Sequence, residues 1–125
     1  MIVNSRNIVL VAEDQILVRG AAADVLTDHG YEVMEVGCAE DALAILAERG
    51  RDILILFTDL SLAGSINGLT LAHRVRRTWP WVGLLITSGN ARPPTSELPE
   101  GSLFLAKAYD TAHMARDVGE LASAR

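Results

Sequence analysis

Acidic, hydroxyl and basic side chains stand at the ends of several short apolar runs in this sequence. Glu13 and Asp14 follow the run IVLVA, and Asp59 follows the run ILILFT. Thr87 closes the run VGLLIT, and Lys107 follows the run LFLA. Crowded carboxylates repel one another unless a divalent cation lies among them and accepts their oxygens. These residue types therefore indicate phosphoryl chemistry beside a hard cation, provided that the fold gathers them.

Mg²⁺ suits such a set because it prefers oxygen ligands, keeps several waters and takes only one or two carboxylates together with phosphate oxygens. We predict that Asp14 and Asp59 bind Mg²⁺ directly and that Glu13 acts through water. A phosphoryl group on Asp59 also needs its negative charge neutralised. Lys107, the only lysine in the chain, would supply a compact positive charge, and Thr87 would supply a hydroxyl donor.

Each of these residues has an ordinary structural explanation when it is taken alone. An aspartate after a strand often forms a turn, and Glu13 with Asp14 could simply begin a helix. Thr87 could be a turn residue, and Lys107 could be a solvated charge. The coincidence of all of them at successive strand ends is what favours a functional site.

Five short apolar runs alternate with segments of helical spacing, which predicts a parallel sheet covered by helices on both faces. The predicted strands are Ile8–Ala12, Glu32–Val36, Ile53–Thr58, Val82–Thr87 and Leu103–Ala106. The first, third and fourth runs are almost continuously apolar, so we expect these strands at the centre. The second and fifth should lie at the edges. In such a sheet, ligands bind beyond the carboxyl ends of the strands, where the polar residues above are found.

Four segments between and after the strands repeat apolar residues at helical intervals. Gly30 and Gly50 follow the first two of these segments, and we predict left-handed helix caps there. Asp110 should cap the start of the last helix. Three prolines within residues 90–101 leave little room for a regular fourth helix between the last two strands.

Length and composition limit the class of protein. The chain has 125 residues, half of them apolar, which suffices for one core; we expect a single domain over residues 1–125 without an output domain. A net charge of −5 disfavours nucleic acid or an anionic membrane as a partner. Cys38 is the only cysteine, and no leader or membrane-spanning run stands out. We therefore expect a cytoplasmic protein.

The ordered motifs resemble the receiver domain of bacterial response regulators. The acidic pair lies in VAEDQ, the acceptor aspartate in FTDLSLAG followed by NGL, the threonine in LLITSG and the lysine in FLAKAYD. The resemblance covers essentially the whole chain. It implies a flavodoxin-like, doubly wound α/β fold with a five-stranded parallel sheet of order 2-1-3-4-5.

The same resemblance implies a function in a two-component phosphorelay. Asp59 would receive a phosphoryl group from a histidine kinase or phosphotransfer protein, and the backbone carbonyl of Ser61 would complete the Mg²⁺ site. Thr87 and Phe104 would move in response to the new charge. The domain would assist its own phosphorylation and dephosphorylation without being an enzyme. It would then signal to an unknown downstream protein or act as a phosphate sink, as a monomer or weak homodimer.

The sequence departs from the family pattern at two places. Ala108 follows Lys107, where the family usually has a proline joined by a cis peptide bond. The loop after Asp59 is about one residue longer than usual and lacks a common proline, which predicts a more flexible loop. Two alternatives stay open: a degenerate receiver that binds partners without phosphorylation, and a phosphatase of the haloacid dehalogenase type. Ser61 stands where that phosphatase family has a second aspartate.

Other polar and aromatic residues carry less weight. The three histidines share no metal-ligand spacing. The arginines within residues 74–77 are expected on a solvated helix face. Trp79 and Trp81 flank Pro80 and should pack at a helix-to-strand turn.

Overall fold

Strands and helices alternate along the chain in the computed structural model, which describes residues 7–90 and 92–124. The strands are β1 (Ile8–Ala12), β2 (Glu32–Val36), β3 (Ile53–Asp59), β4 (Gly83–Ser88) and β5 (Leu103–Ala106). The helices are α1 (Ile16–Asp28), α2 (Ala39–Arg49), α3 (Gly68–Thr78) and α4 (Thr111–Ser123). None of the helices in the described part of the chain is long and apolar enough to cross a membrane.

All five strands are parallel and lie in the order β2-β1-β3-β4-β5. The predicted flavodoxin-like fold is therefore confirmed, with β2 and β5 at the edges. Every residue of β1, β3 and β4 is buried, as their apolar sequences require. β3 runs one residue further than predicted, because Asp59 still pairs in register with Thr87 of β4.

Alternate residues of the central strands face two separate parts of the core. Leu10 of β1 packs in the cluster that contains Leu46 of α2 and residues of α3. Val11 faces the other way and packs with Leu26 of α1 and Met114 of α4. The sheet thus has α2 and α3 on one face and α1 and α4 on the other. Both faces fix the strands whose ends carry the polar residues.

The predicted caps are partly confirmed. Gly30 has a φ of 95° and Asp110 accepts a hydrogen bond from the N–H of Ala112, so both cap helices as expected. The prediction for Gly50 was wrong, since its backbone is right-handed with a φ of −55°. A Cβ at Gly50 would lie 2.5 Å from Nε1 of Trp79, and Trp81 donates to the Gly50 carbonyl at 2.9 Å. Close packing of the two indoles explains this glycine.

Among its described residues, 89–90 and 92–102, the connection from β4 to β5 has a single 3₁₀ turn, Thr95–Glu97, which confirms the short or irregular fourth helix. Its carbonyls need donors because they are not paired within a helix. His73 of α3 donates to the carbonyl of Glu97 at 2.7 Å, and Arg76 donates to the carbonyl of Glu100 at 3.1 Å. The expectation of a solvated Arg76 was therefore wrong, because this side chain fastens the connection to α3.

Candidate functional site

The carboxyl ends of four strands lie level with one another. Ala12 of β1 pairs with Thr58 of β3, and Asp59 pairs with Thr87, which in turn pairs with Leu105 of β5. The N–H of Lys107 extends this pairing by donating to the carbonyl of Ser88 at 3.0 Å. The register therefore carries the predicted polar residues to one end of the sheet.

Three carboxylates form a cluster at this end. Glu13, Asp14 and Asp59 each present an oxygen, and these oxygens lie within 4.8 Å of one another. Glu13 and Asp59 are 4% and 5% exposed, whereas Asp14 is exposed. A cleft of about 330 Å³ opens beside Asp14 and Asp59 and is also lined by Ser61 and Lys107. An all-oxygen set with one solvent-facing carboxylate suits Mg²⁺, which retains several of its waters.

Lys107 joins two of the three carboxylates. Its Nζ lies 2.6 Å from Oδ2 of Asp59 and 2.7 Å from Oε1 of Glu13. The peptide bond between Lys107 and Ala108 is cis. The ammonium group thus lies between Asp59 and Glu13, and its role toward a phosphoryl group stays a prediction.

The backbone around Asp59 leaves this residue little freedom. Its Oδ1 accepts from the N–H of Ser61 at 2.9 Å, and its carbonyl accepts from Oγ1 of Thr58 at 3.0 Å. α3 begins directly behind it: a Cβ at Gly68 would lie 1.8 Å from the carbonyl oxygen of Asp59. Only glycine allows this approach. The carboxylate of Asp59 is therefore fixed by its own strand, by the following loop and by Lys107.

Burial and contacts with oppositely charged groups have opposite effects on the pKa values of Glu13 and Lys107. Burial raises the pKa of Glu13, an effect that the hydrogen bonds from Lys107 and from the N–H of Gln15 only partly offset. Burial lowers the pKa of Lys107, but hydrogen bonds to Asp59 and Glu13 outweigh it, so the net pKa is raised. The lysine therefore carries its charge at neutral pH.

The two residues expected to respond to phosphorylation lie near β5. Thr87 is 2% exposed, and its Oγ1 donates to the carbonyl of Leu105 at 2.5 Å. The ring of Phe104 is half-buried, with the guanidinium of Arg92 5.2 Å from its centroid. In this structure the Thr87 hydroxyl is thus directed at β5. The responsive roles of Thr87 and Phe104 stay predictions.

The loop after Asp59 contacts the start of α2, and its greater flexibility stays a prediction. Ala63 forms a parallel bridge with Cys38, and Glu40 accepts hydrogen bonds from the N–H and the hydroxyl of Ser65. These bonds lower the pKa of Glu40. Gly64, with a φ of 109°, brings the loop against the carboxylate of Glu40. The loop is thus linked to the neighbouring helix by several contacts.

Arg19 was missed by the sequence reasoning. Its Nη1 donates to the carbonyl of Glu13 at 3.0 Å, and its Nε lies 3.5 Å from Oε1 of Glu35. A possible signal was its position in the first turns of the helix that follows the acidic pair. That position alone does not distinguish a solvated arginine from one that folds back onto the loop.

A doubly wound sheet with an acidic cluster and a lysine at the carboxyl ends of its strands defines a phosphoryl-accepting class of α/β domain. The model of the response regulator receiver domain family matches residues 9–115. The chain therefore belongs to the response regulator receiver domain family, and its acidic pocket fits a phosphoacceptor site of a two-component system.

Known relatives agree with this assignment. The sensor kinase CckA of Brucella abortus is 30% identical over 116 residues, which cover 90% of this chain and 12% of that protein. The crystal structure of the receiver domain from the hybrid histidine kinase CckA has a TM-score of 0.80 and 31% identity, covering 92% of this chain and 98% of that one. A receiver protein from Sinorhizobium medicae has a TM-score of 0.87 and 25% identity, covering 94% of each chain. The chain thus matches almost all of the two receiver structures but only a small part of the full-length kinase.

Proposed function

We propose that Asp59 is the phosphoacceptor of this receiver domain and that a phosphorylated histidine of a kinase or phosphotransfer protein is the donor. The observation that carries the proposal is the contact of Lys107 Nζ with both Asp59 and Glu13, at 2.6 Å and 2.7 Å, beside the exposed Asp14. The nearly buried carboxylate of Asp59 thus has the ammonium of Lys107 in contact with it and two acidic neighbours, Glu13 and Asp14, which is an arrangement suited to accepting a phosphoryl group.

The metal-binding residues in this proposal are Asp14 and Asp59, with the carbonyl of Ser61 as a further ligand and Glu13 acting through water. A Mg²⁺ ion held by these residues would supply positive charge that neutralises the oxygens of the incoming phosphoryl group. The carboxylate oxygens of Glu13, Asp14 and Asp59, within 4.8 Å of one another, support this assignment.

In the transfer step, a carboxylate oxygen of Asp59 forms a bond to phosphorus as the bond from phosphorus to the donor imidazole nitrogen breaks. The imidazole leaves with the electron pair of that bond and takes a proton from water. Lys107 lies 2.6 Å from Asp59 and can follow the developing charge without a large movement. The product is an acyl phosphate on Asp59 and a neutral histidine on the donor.

The response to phosphorylation in this proposal begins at Thr87. A phosphoryl group adds close to two negative charges and three acceptor oxygens. The Thr87 hydroxyl, bound to the carbonyl of Leu105, would exchange that acceptor for a phosphoryl oxygen. β5 then loses a hydrogen bond, and Phe104 beside it is released to a new position. Phe104 and its neighbours would form the surface that a downstream protein recognises.

An apolar groove next to the cleft supports docking of a donor protein. It has a volume of about 410 Å³, is lined by Leu17, Val18, Ala21 and Tyr109 among others, and shares Lys107 with the cleft. Leu17 at its rim is 87% exposed and the adjacent Ile16 is 71% exposed. Exposed aliphatic side chains beside a reactive carboxylate suit a donor that packs an apolar helix there while its histidine reaches Asp59.

The test is phosphorylation by acetyl phosphate with Mg²⁺, followed by intact mass. Wild-type protein should gain one phosphoryl group, and Asp59→Asn should gain none because the amide is a poor nucleophile. Asp24→Asn, a change on the exposed part of α1, is the matched control and should react like wild type. Hydroxylamine should remove the group, since it cleaves acyl phosphates but leaves phosphoserine and phosphothreonine intact.

Equal labelling of wild type and Asp59→Asn would reject Asp59 as the acceptor. Wild-type protein that stays unmodified with acetyl phosphate and with phosphohistidine donors would favour a receiver that acts without phosphorylation. Sustained release of phosphate from a simple phosphate ester, at many turnovers per protein, would favour a phosphatase.

A further inference from the structure

The side chain of Arg19 contacts the short segment that carries Glu13 and Asp14. Its side chain is 21% exposed and folds back from α1 over residues 13–15, which connect β1 to α1. Its Nη1 donates to the carbonyl of Glu13 at 3.0 Å, while its own N–H donates to the carbonyl of Gln15 at 2.9 Å. The bond to Gln15 is the ordinary first backbone bond of α1, so the side chain itself binds the carbonyl that directly precedes Asp14.

The hydrogen bond to Glu13 bears directly on Asp14. The carbonyl of Glu13 and the N–H of Asp14 belong to one peptide unit, and this unit is planar. Fixing the oxygen at one end fixes the direction in which the chain enters Asp14. The N–H of Glu13 is held as well, because it donates to the carbonyl of Val36 at 3.0 Å.

Arg19 is itself held from the β2 side. Its Nε is buried and lies 3.5 Å from Oε1 of Glu35, a distance of an ion pair but without hydrogen-bond geometry. A Cβ at Gly37 would lie 3.1 Å from Nη1 of Arg19. The absence of a side chain at Gly37 thus leaves room for the guanidinium, which stays charged at any physiological pH.

We propose that Arg19 is a positioning residue for the metal site: it orients the peptide unit that carries Asp14 and so sets the affinity for Mg²⁺. This inference rests on the proposed Mg²⁺ site. Residues that orient metal ligands typically change metal affinity by 10-fold to 100-fold when they are replaced. Since Arg19 acts on the backbone, we expect the lower end of that range.

The test is a calorimetric titration of Mg²⁺ into wild type, Arg19→Met, Arg19→Lys and Gly37→Ala. Arg19→Met keeps the apolar stem and should bind Mg²⁺ about 10-fold more weakly. Arg19→Lys should lose less, because one ammonium group can replace only part of a planar guanidinium. Gly37→Ala should also weaken binding by displacing the guanidinium by a few tenths of an ångström. Arg77→Met, an exposed change on α3, is the control and should match wild type.

Melting temperatures in EDTA and in saturating Mg²⁺ separate this role from a purely structural one. A structural role would lower the melting temperature in EDTA while the folded protein keeps its Mg²⁺ affinity. Wild-type affinity in both Arg19→Met and Arg19→Lys would overturn the inference and leave the proposed function intact. A wild-type protein that binds no Mg²⁺ would instead overturn the proposed metal site. If Arg19→Met fails to fold, Arg19→Lys and Gly37→Ala decide the question.

Discussion

At the residue scale, Asp14 and Lys107 approach Asp59 with opposite charges. Asp14 is exposed at the cleft, whereas the ammonium of Lys107 is bound by Asp59 and Glu13 at the inner side. A cation entering the cleft therefore meets Asp14 before the buried pair. The two residues should have opposite effects on cation affinity.

Asp14→Ala should abolish detectable Mg²⁺ binding or weaken it by at least about 10-fold, because Mg²⁺ relies on one or two carboxylates. The fold should survive, since the side chain is exposed. Isothermal titration with Mg²⁺ measures the affinity, and Asp24→Ala serves as the control. Unchanged affinity in Asp14→Ala would count strongly against Asp14 as a ligand.

Lys107→Met should bind Mg²⁺ at least as tightly as wild type, because the ammonium competes for the oxygens of Asp59 and Glu13. Its phosphorylation by acetyl phosphate should nevertheless slow by about 10-fold or more, since a fixed positive charge next to the phosphoryl group is lost. Isothermal titration measures the Mg²⁺ affinity, and time-resolved intact mass measures the phosphorylation rate. An unaltered phosphorylation rate would remove Lys107 from the mechanism.

At the element scale, the start of α3 packs closely against the backbone of Asp59. The carbonyl of Asp59 occupies the space that a side chain at Gly68 would need, and the N–H of Gly68 donates to the carbonyl of Leu60 at 2.9 Å. The helix and the end of β3 therefore cannot move independently.

Gly68→Ala should destabilise the protein by about 1–3 kcal/mol, because backbone must shift to admit the methyl group. It should also slow phosphorylation by moving Asp59. Gly119→Ala is the matched control: nothing lies within 4 Å of an added Cβ in α4, and the loss of a helical glycine should stabilise by up to about 1 kcal/mol. Urea unfolding of both variants measures whether each change lowers or raises the free energy of unfolding. A Gly68→Ala variant as stable as wild type would show that the contact is relieved at no cost.

The elements were predictable from the sequence where a pattern is local. The strand bounds agree within one residue, and the central or edge position of each strand follows from its apolar content. The gathering of Glu13, Asp14, Asp59 and Lys107 follows from parallel topology alone. The conformation of Gly50 was not predictable, because it depends on Trp79 from a distant segment. The partners of Arg19 and Glu40 also required the packed structure, since many solvated side chains share their spacing.

At the scale of the whole molecule, the site links folding stability to pH in the absence of metal. The pKa of Lys107 is raised because its bonds to two carboxylates outweigh burial, and burial raises the pKa of Tyr109. Above about pH 10 the unfolded chain loses both protons before the folded one does. Stability therefore falls as pH rises through that range.

We expect the free energy of unfolding in EDTA to decline from pH 9 to pH 11. Lys107→Met and Tyr109→Phe should each flatten the decline, because each removes one of the groups that titrate differently in the two states. Urea unfolding at several pH values measures the free energy of unfolding of each protein. Parallel profiles for wild type and both variants would assign the decline to other groups.

Because the sheet divides the core, the proposed docking site of the donor and the proposed surface around Phe104 lie on opposite sides of the molecule. The apolar groove next to the cleft lies at α1 and the start of α4, whereas Phe104 packs with the cluster on the α2 and α3 side. Under the roles proposed above, a donor seated in the groove would leave the Phe104 side uncovered. One molecule could then accept a phosphoryl group and contact a downstream protein at the same time, in a ternary assembly.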